Sequence, residues 1–139
     1  MKLKFEEATK RYIMTIEKLE NMYKCLKNAE SISNSDKDVR KMLIEIKSKL
    51  EDAQSDFAKV AVSVEDLETQ KSIYNMYHEF RRKCYSCATW INMSLCTLDL
   101  TSTKNISFLI QMSELGNVLL ISRGWAIIFE RFVDIDKEK

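Results

Sequence analysis

No proline interrupts this chain, and glycine occurs only at Gly116 and Gly124. Tight turns and strand ends are built from these two residue types, so their scarcity argues against any β-rich fold. What remains is helix, and apolar spacing supports it. From Leu67 to Leu100 the apolar residues fall at Leu67, Ile73/Tyr74, Tyr77, Phe80, Cys84, Cys87/Ala88, Ile91, Leu95 and Leu98. Steps of three and four stack side chains on one helical face. Before Lys83 the other faces are charged. After it Tyr85, Ala88, Trp90 and Met93 make nearly every face apolar or small. A helix apolar all round is normally surrounded. The expectation is an all-α helical bundle of four to six helices, with a central apolar helix around 84–98.

A first helix is expected over about Leu3 to Ala29, on the stripe Phe5, Ala8, Tyr12, Ile16, Leu19, Met22/Tyr23, Leu26. Its narrow stripe suits a coiled-coil-like seam or an outer helix. The run Glu30 to Ser35 is the first break, with Ser35 as N-cap. A second helix carries Val39, Met42/Leu43, Ile46, Leu50, Ala53, Phe57 and Val60/Ala61. Ser63, with Asp66 three residues later, reads as the next helix start. Val60, Val62 and Val64 weaken a helix there, which favours a break over one rod from Asp36 to about Leu98.

Thr101 to Lys104 reads as a polar turn with Thr101, Ser102 and Thr103 as possible N-caps. A fourth helix is expected from about Lys104 to Leu115, stopped by Gly116-Asn117. A fifth follows from Val118 to about Val133, with Gly124 reserved for close packing against another helix and a frayed tail after it. The chain 1–139 reads as one domain, a charged helical hairpin (3–62) joined to an apolar helical core (65–133).

The formal net charge is +1, which removes the long-range electrostatic case for nucleic acid or an anionic membrane. The opening residues are charged, unlike a secretory signal, and no run reaches the roughly 18 apolar residues of a membrane span. Four cysteines at 25, 84, 87 and 96 are too sparse for a disulfide scaffold. Reduced thiols in an intracellular, cytoplasmic protein are expected.

Few residues invite chemistry. Cys84-Tyr85-Ser86-Cys87 has the spacing of a redox pair, but such a pair needs a helix start and a βαβ setting. His78, Cys84, Cys87 and Cys96 on one straight helix cannot converge on a zinc ion. His78 lacks a nucleophile and acid arrangement that sequence can single out. These points argue against an enzyme, a resident metal and a cofactor. The run Phe80-Arg81-Arg82-Lys83, preceded by Tyr74 and Tyr77, could serve phosphate contact and stacking; Arg81, Arg82 and Lys83 carry that nucleic-acid alternative.

An apolar helix over Cys84 to Leu98 containing Cys87-Ala88-Thr89-Trp90, then a short helix, then a terminal helix with Ile127-Ile128-Phe129-Glu130-Arg131, resembles the small Bcl-2-like proteins of poxviruses. The resemblance covers roughly the last third to half of the chain and rests on helix order, not on a motif. Arg123-Gly124-Trp125 departs in order from the Asn-Trp-Gly-Arg of cellular Bcl-2 proteins. The resemblance implies a helical host-factor binder. The leading expectation is broader: a non-enzymatic interaction module, such as an adaptor, scaffold or inhibitor, whose partner is another protein or a second copy of itself. Aromatic and methionine side chains are the usual anchors of such surfaces. The candidates are Tyr74, Tyr77, Met93, Met112, Trp125 and Phe129. The terminal helix carries more apolar surface than one docking stripe needs, since Ile121, Ile127 and Val133 spread beyond it.

Overall fold

The computed structural model of the protein describes residues 4–31, 36–98 and 106–138, with side chains over 4–28, 38–96 and 113–135. The expected start at Leu3, the Ser35 cap, the Thr101–Lys104 turn and the Met112 side chain lie outside these. The described residues form four helices and no strand: α1 (Phe5–Ser31), α2 (Asp36–Ser63), α3 (Leu67–Leu98) and α4 (Ile106–Glu138). The all-α bundle read from the sequence is what the chain builds. Helix α1 packs on α2 and α4, and α3 packs on the same two. Thr15 meets Asp56, Lys47 meets Asn92, and Phe5 meets Phe129. Neighbours are therefore antiparallel, in an up-down-up-down bundle.

Each helix buries one stripe. Tyr12, Ile16 and Leu19 come from α1; Ile46, Leu50 and Phe57 from α2; Phe80, Cys84 and Ile91 from α3; Leu115, Ala126 and Phe129 from α4. All belong to one core. At its centre every helix contributes one fully buried aromatic ring: Tyr12, Phe57, Phe80 and Phe129. Phe57 stacks on Phe80 at 4.9 Å between centroids. Tyr12 and Phe57 meet Phe129 edge-on at 5.5 and 5.2 Å. Edge and offset contacts are the favoured aromatic geometries, each worth about 0.5–1.5 kcal/mol beyond burial.

The described part of the segment 84–98, residues 84–96, is buried on one face, not all round. Cys84, Cys87, Ile91 and Ser94 turn inward, while Tyr85 is 71% exposed and Met93 50%. In a four-cornered bundle every helix keeps an outer face, so none is surrounded.

The break between α2 and α3 lies where it was expected, and one rod over 36–98 does not form. The cap differs. Asp66, not Ser63, closes the start of α3: its carboxylate accepts from the Thr69 amide at 2.9 Å and the Thr69 hydroxyl at 2.6 Å. Ser63 is the last residue of α2 and donates back to the Val60 carbonyl. The Gln70 side-chain amide donates to the carbonyls of Val62 and Val64. Carbonyls at the α2 end, which have no helical partner, are satisfied this way.

Gly116-Asn117 does not stop a helix. Helix α4 runs through it, and no described residue has positive φ. Leu115, Val118, Leu119, Ser122 and Ala126 form one buried stripe across the expected stop, and that packing outweighs the glycine. The expected fourth and fifth helices are thus one. Gly116 answers a different need: a Cβ there would lie 2.8 Å from the Tyr23 hydroxyl oxygen. Gly124 meets nothing within 4 Å of a built Cβ. Its expected close packing against a helix of its own chain is not found. The short helix followed by a terminal helix, on which the poxvirus resemblance rested, is absent too.

Candidate interaction surface

Cys84 and Cys87 are buried in the core. Burial pushes both thiols up to about 12, reinforced by Cys87 beside Cys84 and by Glu114 near Cys87. The thiolate is the nucleophile and the metal ligand, so these sulfurs are inert at neutral pH. No group of three or more His, Cys, Asp or Glu among the described residues could hold a metal ion. His78 is exposed, with the Tyr77 ring 5.5 Å and the Tyr74 ring 6.4 Å from it.

Arg81, Arg82 and Lys83 are exposed in succession on α3. They point in different directions, as consecutive helical residues do. One terminal nitrogen of Arg82 donates to both carboxylate oxygens of Glu79, at 2.8 and 3.0 Å, which offsets its charge.

The five candidate anchors whose side chains are described do not form one surface. Phe129 is fully buried in the central aromatic layer. Trp125 is half-buried beside it, 5.7 Å from Phe57 and 5.8 Å from Phe129. Tyr74 and Tyr77 are half-buried and edge-on to each other at 6.0 Å. Met93 lies nineteen residues beyond Tyr74 on the same helix, about 28 Å along its axis.

A different surface is continuous. On α4 Leu120 is 75% exposed and Ile127 53%, with Ile128, Phe132 and Ile135 also exposed. Gly124 lies among them on the outer side. Leu120, Gly124, Ile127, Arg131 and Ile135 advance by steps of three and four, which keeps them on one outer face, with Ile128 at its edge. The opposite face carries Val118, Ser122, Ala126 and Phe129 into the core. Helix α4 is therefore apolar on both sides. Sequence reading saw the excess at Ile121, Ile127 and Val133. It missed Leu120, because periodicity alone does not say which of two apolar faces turns inward, and Ile135, because the helix was expected to end near Val133 in a frayed tail, whereas α4 runs on to Glu138.

The orientation of α4 is fixed from the α1 side. The Tyr12 hydroxyl donates to the Ser122 carbonyl at 2.9 Å. Arg123 grips Glu20 with two guanidinium nitrogens, Nε donating at 3.1 Å and the terminal nitrogen to the other oxygen. This hydrogen-bonded carboxylate holds the guanidinium above its ordinary pKa. Turning the outer apolar face inward would break both ties. No described helix is long and apolar enough to cross a membrane. Comparison of the chain with protein-family models, with curated proteins and with solved structures finds no match to any of them.

Proposed function

We propose that this protein is a non-enzymatic protein–protein interaction module that docks through the outer face of α4. One observation carries the reading: Leu120, Ile127, Ile128, Phe132 and Ile135 stand exposed on one helix whose other face is already buried. Covering apolar surface is favourable by about 25 cal/mol per Å², and contiguous exposed patches mark contact sites. The face carries little charge, which suits a protein partner better than a nucleic acid. A photo-reactive residue placed at Ile127 in the native host tests this. Cross-linking to a protein is expected there and not at Glu51, exposed on the outside of α2. Absence of protein cross-links at Ile127 would defeat the reading.

A further inference from the structure

The outer face of α4 has an internal symmetry. Two apolar pairs stand equidistant from Gly124, Leu120 with Ile128 and Ile121 with Ile127; farther out Asn117 stands level with Arg131, and Ser113 with Ile135. An antiparallel copy of the same helix, crossing at Gly124, brings the members of each pair to one level. Leu120 and Ile128 lie on opposite sides of the line through Gly124, about 40° to either side at 100° per residue, and Ile121 and Ile127 about 60° to either side. Across a two-fold axis they interdigitate instead of colliding. Gly124 is exposed with open space at its Cβ. A glycine at a crossing point lets two helix backbones approach closely. Charge selects the direction. Antiparallel crossing sets Arg131 beside Asn117, an uncharged acceptor, whereas parallel crossing would set Arg131 against itself.

Resting on the interaction reading above, we infer that the occupant of this face is a second copy of the chain, held in an antiparallel two-fold contact centred on Gly124. A two-fold contact uses one patch on both partners and demands this self-complementarity. Its size sets its strength. From Ser113 to Ile135 the strip is about 33 Å long and about 10 Å wide, less than the roughly 800 Å² per partner of a standard stable interface. The dimer is therefore weak and reversible.

Sedimentation equilibrium on the whole chain tests this. The mass should rise from the 16.3 kDa of one chain toward twice that as concentration climbs to about 500 μM. Gly124→Leu and Leu120→Glu should each weaken association at least about tenfold with unchanged helical circular dichroism, since both positions face solvent in the single chain. Register is read by disulfide trapping after the exposed Cys25 and Cys96 are replaced by serine. Chains carrying Leu120→Cys should link to chains carrying Ile128→Cys, and neither should link to itself. A chain that stays monomeric at the highest concentration overturns the inference, as does association untouched by both variants, or self-linking of Leu120→Cys. A monomer that still cross-links to another protein at Ile127 overturns the dimer and leaves the interaction reading standing.

Discussion

The phenol of Tyr12 donates to the backbone carbonyl of Ser122 at 2.9 Å, across 110 positions of sequence. The bond sits inside the aromatic layer and ties the first helix to the last. Burial pushes the phenol well above its ordinary range, so it stays protonated and keeps donating. Tyr12→Phe keeps the ring contacts with Phe57, Phe80 and Phe129 and removes only the donor. A loss of about 1 kcal/mol is expected, read as a lower urea midpoint with unchanged slope. Tyr12→Ala removes the ring and should cost about 3–5 kcal/mol.

Thr9 is buried, and its hydroxyl oxygen has no hydrogen-bond partner. A buried polar group without a partner costs about 1–3 kcal/mol. Valine has nearly the same shape and the same branching, so the helix cost is unchanged. Thr9→Val should raise stability by about 1 kcal/mol. A lower melting temperature for this variant would mean that the hydroxyl is satisfied in solution.

The four thiols should divide two and two. Cys25 and Cys96 are exposed; Cys84 and Cys87 are buried. Thiol titration of the native protein at neutral pH should count two groups, and four in denaturant. The raised thiols also predict a pH dependence. A thiol at about 12 in the fold against an ordinary 9.0 contributes stability that is complete below pH 9.0. That stability is lost as pH rises toward about 12, because the unfolded chain ionises first. Tyr12 acts in the same direction. Replacing Cys84 and Cys87 by alanine should lower stability at neutral pH and flatten its alkaline decline.

Asp66 caps α3 through two bonds from Thr69, and these hold its carboxyl below the ordinary 3.8. Its contribution is present above that value and fades as acid protonates the carboxylate. Asp66→Ala should lower the melting temperature at neutral pH. Repeated below the folded pKa, the same comparison should show a smaller difference.

Helix content was legible because each buried stripe repeats at three and four residues, from Ala8 to Leu26 and from Val39 to Ala61. The break at Val64 to Asp66 was legible from β-branched residues, but its cap was assigned to Ser63 where Asp66 supplies it. Gly116-Asn117 was misread because a glycine stop needs the helix to gain nothing by continuing. Here Val118, Leu119 and Ser122 extend the buried stripe beyond it. The surface was the least legible part. Phe129 has the character of an interface anchor and lies in the core. Leu120 has the character of a core residue and lies outside. Residue type sets the value of burial, but the ties from Tyr12 and Glu20 decide which face of α4 receives it.

The two glycines of α4 should respond to alanine in different ways, measured at concentrations that keep the chain monomeric. Neither has positive φ, so alanine fits both backbones and gains about 0.5–1 kcal/mol over glycine inside a helix. At Gly124 the new methyl enters open space, and Gly124→Ala should show the full gain. At Gly116 the methyl would stand 2.8 Å from the Tyr23 hydroxyl oxygen and 3.4 Å from the ring carbon bearing it. The ring end has to move, and Gly116→Ala should gain nothing or lose stability. Tyr23→Phe removes the clashing oxygen and leaves the ring carbon at an ordinary contact distance. In that background Gly116→Ala should recover the gain, giving a double-mutant coupling of about 1 kcal/mol. Equal effects of Gly116→Ala with and without the Tyr23 hydroxyl would show that the close approach is not what this glycine serves.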